Sequence, residues 1–303
     1  MTEIVAGIFL MIAVGWLFRR YALVGEEAEK AFNRYLFYLA LPALIIVKIA
    51  DTSFSGLGFD FIILNFLPIF AVMLLAYGAW RAGLADRQFA RLLIITAGLG
   101  NTVYLGFPVV SMSLGPENLG YAAVAASLQN IFIFTFGFFF IGTVGAGASP
   151  PVSFRRLVLK NAVLWSSIAG LFISFAGIKI PAVVYRTMMD IGHTTIPLSL
   201  FTIGLSLYGK KLGANLGKAV WISGLKMIVM PAAYLGLALL FGFKGVISRV
   251  VFLQMAMPIA VLNYVIAREF EFDADLVSQA IVVSTLMLMP CLFLCDLVMA
   301  AFL

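Results

Sequence analysis

Apolar stretches of about 20 residues recur along the whole chain, and most charges fall in the short connections between them. A helix that crosses the hydrocarbon core of a bilayer needs about that length of mostly apolar residues. Ten such segments can be drawn, at about 3–18, 31–50, 60–80, 88–113, 119–143, 158–177, 187–208, 217–241, 247–268 and 275–300. The segment at 187–208 is the most polar of them. Of 303 residues, 63% are hydrophobic and 11% charged, against about 45–50% and about 25% in soluble domains. No soluble surface can be made from such a chain, so it reads as an all-α integral membrane protein. The beginning, MTEIVAGIFL, carries an acid and no basic region, which suits a first spanning helix better than a cleaved signal.

The basic residues orient these spans. Odd-numbered connections hold Arg19, Arg20, Lys30, Arg34, Arg81, Arg87, Arg91, Arg155, Arg156, Lys160, Lys210, Lys211, Lys218 and Arg268. The even-numbered connections and ends hold Lys48, Lys179, Arg186, Lys244 and Arg249. By the positive-inside rule the odd connections are cytoplasmic and both termini lie outside. The net charge of +6 is therefore loop asymmetry, not a nucleic-acid footprint, because no basic stripe runs along a polar face.

The two halves resemble each other. GLGNTVYLGFPVV is followed by the acidic turn GPEN and the helix YAAVAASLQNIFIF; MAMPIAVLNYVIA is followed by EFDAD and LVSQAIVVSTLMLM. Five spans per half is odd, so the halves insert with opposite topology, the plan of many secondary transporters. The expectation is a first repeat over 1–148 and a second over 149–303, joined around 149–161 and forming one structural unit.

The stretch 98–108, GLGNTVYLGFP, should be an unbroken helix by its surroundings and cannot be one. Irregular backbone survives at membrane depth only where protein or a water-filled cavity surrounds it. Gly100, Gly106 and Pro108 favour unwinding, and Asn101 and Thr102 bring hydrogen-bonding groups to the exposed helix ends. Pro258 and Asn263, with Tyr264 beside them, repeat the combination in the ninth span. Matched breaks in inverted halves point to a transport site. Half-helix N-termini favour anions, and no Arg or Lys stands near either break in sequence, so a small carboxylate suits the site better than a phosphate. Opposite helix ends and amide oxygens suit sodium equally, which leaves coupling to Na+ or H+ open.

The motifs FNRYLFYLALPALI (32–45), GLGNTVYLGFPVV, IPLSLFTIGLSL (196–207) and QMAMPIAVLNYVIAREF running into STLMLMP (254–290) resemble the auxin efflux carrier family, and more distantly the bile acid–sodium symporters. The resemblance implies ten helices in two inverted five-helix repeats, with a scaffold part and a transport part. It implies that broken helices 4 and 9 cross at mid-membrane, bind a small organic anion and alternate in access, and that the protein can dimerise. By the same resemblance Asn101 matches the asparagine that contacts the carboxylate in the plant carriers, and Pro108 and Pro258 match the crossover prolines. A second proline of the plant ninth helix is Asn263 here. The plant third-helix Asp and Lys tied to protonation align with Asn65 and Ile69, which counts against carry-over of that proton chemistry and of auxin itself; the substrates the resemblance implies are auxin-like or malate- and malonate-like acids, with proton or sodium coupling open.

Further polar residues lie in the spans. Gln129 and Asn130 occupy places in span five equivalent to Ser284 and Thr285 in span ten; with Gln254 they either bridge helices or ligate substrate or ion. Lys226 lies inside span eight, where snorkelling to the cytoplasmic interface accounts for it unless it serves the substrate pathway. Cys291 and Cys295, one turn apart, read as small hydrophobes, and no ligand set for a metal accompanies them. One histidine, and neither HExxH nor GxSxG, argues against an enzyme and calls for no cofactor. A channel, or a sensor on a transporter fold for the same ligands, is the alternative to a secondary carrier in a bacterial inner membrane.

Overall fold

The computed structural model describes residues 2–54, 57–144, 159–210, 213 and 215–303, and the regular elements among them are all helical. In chain order they are α1 (Thr2–Arg20), α2 (Glu26–Ala50), α3 (Phe59–Arg81), α4 (Arg87–Gly98), α5 (Gly106–Leu114), α6 (Pro116–Val144), α7 (Ala162–Phe175), α8 (Ala182–His193), α9 (Thr195–Leu207), α10 (Leu216–Leu240), α11 (Val246–Met255), α12 (Leu262–Glu269) and α13 (Ala274–Phe302). Six of them, α1, α2, α3, α6, α10 and α13, are long and apolar enough to cross a membrane. α7 and α11 are shorter apolar helices. The protein is an integral membrane protein. The segments drawn at 88–113 and 247–268 are each two helices with irregular chain between, and the polar segment at 187–208 is built on α8 and α9. The join at 149–161 falls mainly outside the described residues, as do Arg155, Arg156 and Lys211.

Local sequence explains the helix starts. Asp86, Asn161 and Asp273 stand just before α4, α7 and α13 and accept from the backbone N–H of Phe89, Leu164 and Leu276. Each side chain satisfies one of the donors that a helix start leaves without an intrahelical partner. α2, α6 and α10 each contain one wide π-helical turn, at Leu36–Ala40, Ile133–Gly137 and Leu225–Val229. In α2 and α10 a proline follows within two residues, Pro42 and Pro231. A proline has no N–H to close the turn below it. In α10 the Cys291 thiol reaches the carbonyl of Met227, four residues before Pro231, at 3.5 Å.

The chain forms two compact units, each drawn from both halves of the sequence. One holds Met1–Gly56, Val103–Ser127 and Asn161–Gly209. Within it α1 and α9 approach backbone to backbone at Gly15 and Gly204: a Cβ on Gly15 would lie 3.2 Å from the Gly204 Cα. Close approach through small residues is how helices associate without a hydrophobic drive from water. The Ser127 and Ser167 hydroxyls bond at 2.8 Å in the same unit.

The other unit holds Leu57–Thr102, Leu128–Lys160 and Lys210–Leu303. α3 packs on α4, α10 on α13, and α12 on α13 within it. Its buried polar residues include Asn65, Thr96, Gln129, Ser223, Lys226, Gln254, Asn263, Ser284 and Thr285. Buried polar groups amid apolar helices need partners, and Asn263 and Ser284 find theirs in main-chain groups of the two breaks.

Candidate functional site

α4 ends at Gly98 and α5 begins at Gly106; α11 ends at Met255 and α12 begins at Leu262. The irregular chain is thus 99–105 in the first interruption and 256–261 in the second. The two strips of irregular chain lie side by side, antiparallel, with Gly100 opposite Ile259. Asn101 N–H donates to Pro258 C=O at 2.7 Å, and Ala260 N–H donates to Leu99 C=O at 3.0 Å. These bonds flank Gly100 and Ile259, which makes them the close, non-hydrogen-bonded kind of antiparallel pair. Main-chain groups freed by unwinding therefore satisfy one another, as backbone at membrane depth must.

Side chains complete the pairing. The Asn263 amide nitrogen donates to Leu99 C=O at 2.8 Å and to Ala260 C=O at 3.0 Å. The Ser284 hydroxyl accepts from Ile259 N–H at 3.2 Å and donates to Ile281 C=O. Thr285 bonds back to Ile281 C=O at 2.7 Å. Ser284 is thus a strut for the second break, whereas Thr285 is tied within its own helix. Gln129 donates to Asn65 at 2.9 Å, and Asn65 donates to Phe61 C=O at 2.8 Å. Gln129 is a helix–helix bridge between α6 and α3, and Asn130 is half-buried.

Several positions singled out in the sequence lie elsewhere than in unwound chain. Gly106 and Pro108 are the first and third residues of α5, and they belong to the first unit, in its segment Val103–Ser127. A proline there loses nothing, because the first N–H groups of a helix have no partner inside it. Asn263 and Tyr264 are in the first turn of α12. Their N–H groups already bond to Ala260 and Val261 C=O, both at 3.0 Å, so this half-helix start has fewer free donors than its position suggested. The Tyr264 ring faces Lys210 Nζ at 4.6 Å, and its hydroxyl accepts from Arg268 at 3.4 Å. Gln254 is fully buried in the last turn of α11, and among the described residues neither of its amide atoms, nor Asn263 Oδ1, has a hydrogen-bond partner.

Asn101 and Thr102 lie in the unwound chain itself. Both are buried, at 8% and 4% exposure. Asn101 uses its main-chain N–H in the pairing, but among the described residues its side-chain amide and the Thr102 hydroxyl form no hydrogen bond. The two groups sit uncommitted beside the paired strips.

Lys226 overturns two expectations. It does not snorkel: it is 2% exposed, and its Nζ donates to Met255 C=O at 3.0 Å, at the C-terminal end of α11. Nor are the breaks without a cation, because a Cβ on Gly100 would lie 3.0 Å from both Cε and Nζ of Lys226. Depth along α10 was the signal available in the sequence. Lys226 is ten residues from Leu216, about 15 Å at 1.5 Å per residue, which exceeds the reach of its side chain.

The family model described as membrane transport protein matches residues 1–295. An uncharacterised transporter of Methanocaldococcus jannaschii is 26% identical over 291 residues, covering 93% of this chain and 94% of its own. A Rhizobium meliloti protein named for malonate transport is 24% identical over 299 residues, 94% of this chain and 92% of its own. Auxin efflux carrier component 1 of Arabidopsis thaliana is 26% identical over 163 residues, 49% of this chain and 26% of its own. The chain therefore belongs to the membrane transport protein family, the auxin efflux carriers among its members, and it is a membrane transporter rather than an enzyme.

Proposed function

We propose that the protein is a secondary carrier of small organic carboxylate anions, malonate-like acids above all, working by alternating access. The observation that carries this reading is the Asn101–Thr102 pair: a free amide and a free hydroxyl, both buried, beside two helix breaks that hold each other through their main chains. An amide donor and a hydroxyl recognise a carboxylate without a second permanent charge, through hydrogen bonds that a charged acceptor strengthens. The name of the Rhizobium meliloti relative supports the substrate class.

In this reading Asn101 and Thr102 contact the carboxylate. Pro258, Asn263 and Ser284 fix the shape of the opposing strip, and the unit that holds the crossing is the transport part. Ten spans in two inverted repeats, both termini outside, follow from the basic-residue pattern and the internal repeat. A bacterial inner membrane and a homodimer are carried over from the family resemblance. Gln129, Asn130 and Thr285 are support for the site, whereas Gln254, whose buried amide makes no hydrogen bond among the described residues, is a further polar group for substrate or ion.

Counterflow in proteoliposomes tests the function. Vesicles loaded with unlabelled malonate should accumulate external labelled malonate transiently, and uptake should saturate. Uptake that is linear in concentration, without counterflow, would make the protein a channel. Binding without flux would make it a sensor.

A further inference from the structure

A lysine in the middle of a spanning helix, with no acid beside it, needs a reason. Lys226 lies in the π-helical turn Leu225–Val229 of α10 and is almost wholly buried. Among the described residues ion pairs join Arg19 to Glu26 and Lys30 to Glu27, and none involves Lys226. Among the described residues its one hydrogen bond is to Met255 C=O. A buried ammonium without a counter-charge is expensive, and such charges in membrane proteins are as a rule functional.

The place it occupies is informative. Met255 is the last residue of α11, so its carbonyl lies at the negative end of a half-helix. Such ends, together with unwound carbonyls, are where carriers with broken helices coordinate a coupling cation. Here the ammonium is already on that carbonyl. On its other side stands Gly100, whose missing side chain leaves the room that Cε and Nζ use, and the next residue is Asn101. The lysine amine thus lies in the same crossing as the uncommitted amide.

We propose that Lys226 is the resident cation of the substrate site: its ammonium balances the substrate carboxylate and takes the coordination place of a sodium ion, so binding and transport require no sodium. The inference rests on the carrier reading above and names its charge partner. An anion that enters the crossing neutralises an otherwise unpaired buried charge. That makes the site selective for anions over neutral amides of the same shape.

The test uses the purified full-length protein in detergent, with malonate as probe and malonamide, the neutral diamide of the same shape, as a comparator that should not bind. Binding is read by thermal shift and calorimetry in sodium-free choline buffer and in sodium buffer. The wild type should bind malonate equally in both buffers. Lys226→Met should melt no lower than the wild type when unliganded, yet lose malonate affinity by about tenfold or more, close to 1.4 kcal/mol per tenfold. Lys226→Gln keeps a donor for Met255 C=O without the charge and should lose affinity similarly. Malonate affinity retained in Lys226→Gln, or a wild type that binds only with sodium, would overturn the inference while leaving the carrier reading intact. A wild type that responds to no carboxylate would overturn both.

Discussion

Asn101 and Pro258 are joined main chain to main chain, the N–H of one on the carbonyl of the other at 2.7 Å. Proline has no N–H to give, so it serves this contact with the one main-chain group it has. The residue that most favours breaking α11 from α12 is therefore also an acceptor for the opposite break. Two unwound segments become one compact cross-linked feature, and unwinding costs far less than it would for either alone.

Asn263 should prove a structural clamp. Its amide nitrogen holds Leu99 and Ala260 carbonyls across the crossing. Asn263→Ala should lower stability by about 1–3 kcal/mol, the usual penalty for removing a donor to buried groups. Chemical denaturation in detergent measures it. Asn263→Asp, which replaces the donor with an acceptor, should cost more than alanine.

Gly100 and Lys226 should be energetically coupled. A methyl group at Gly100 meets Lys226 Cε and Nζ at 3.0 Å, so Gly100→Ala should destabilise by about 1–3 kcal/mol through overpacking. With Lys226→Ala in the background that cost should shrink, giving a coupling of about 0.5 kcal/mol or more in a double-mutant cycle. Additive effects would mean that the two side chains do not compete for the space.

Gln129 and Asn65 make a different cycle. Gln129→Leu leaves Asn65 Oδ1 buried without its donor, which should cost about 1–3 kcal/mol. Replacing both by leucine removes the stranded group as well, so the double variant should be more stable than Gln129→Leu alone. Thermal melts of the three variants decide it.

Membrane class and the two interruptions were legible because lipid permits so few backbone arrangements. A run such as GLGNTVYLGFP amid apolar residues has almost no other reading. The edges were less legible. Pro108 and Gly106 look like breakers, but a proline in a first turn is compatible with helix, so α5 starts before it. Asn263 looked like a ligand because it stands beside a break; in three dimensions its amide is spent on main-chain carbonyls. Lys226 was misplaced for a related reason. Sequence reports how deep a residue lies in a span and nothing about which neighbour it faces, and Met255 is twenty-nine positions away. Likewise nothing local marked Gln129 as the partner of Asn65, sixty-four positions earlier. The family resemblance anticipated that the two interruptions meet, which the pairing of Gly100 with Ile259 now describes atom by atom.

Calorimetric titration of malonate into the wild type and Asn101→Ala tests the central claim most directly. The account predicts saturable binding by the wild type and a loss of at least about tenfold in the variant, at an unchanged melting temperature without ligand. Equal affinity in the two proteins would contradict it, because the free amide beside the paired breaks would then have no part in holding the anion.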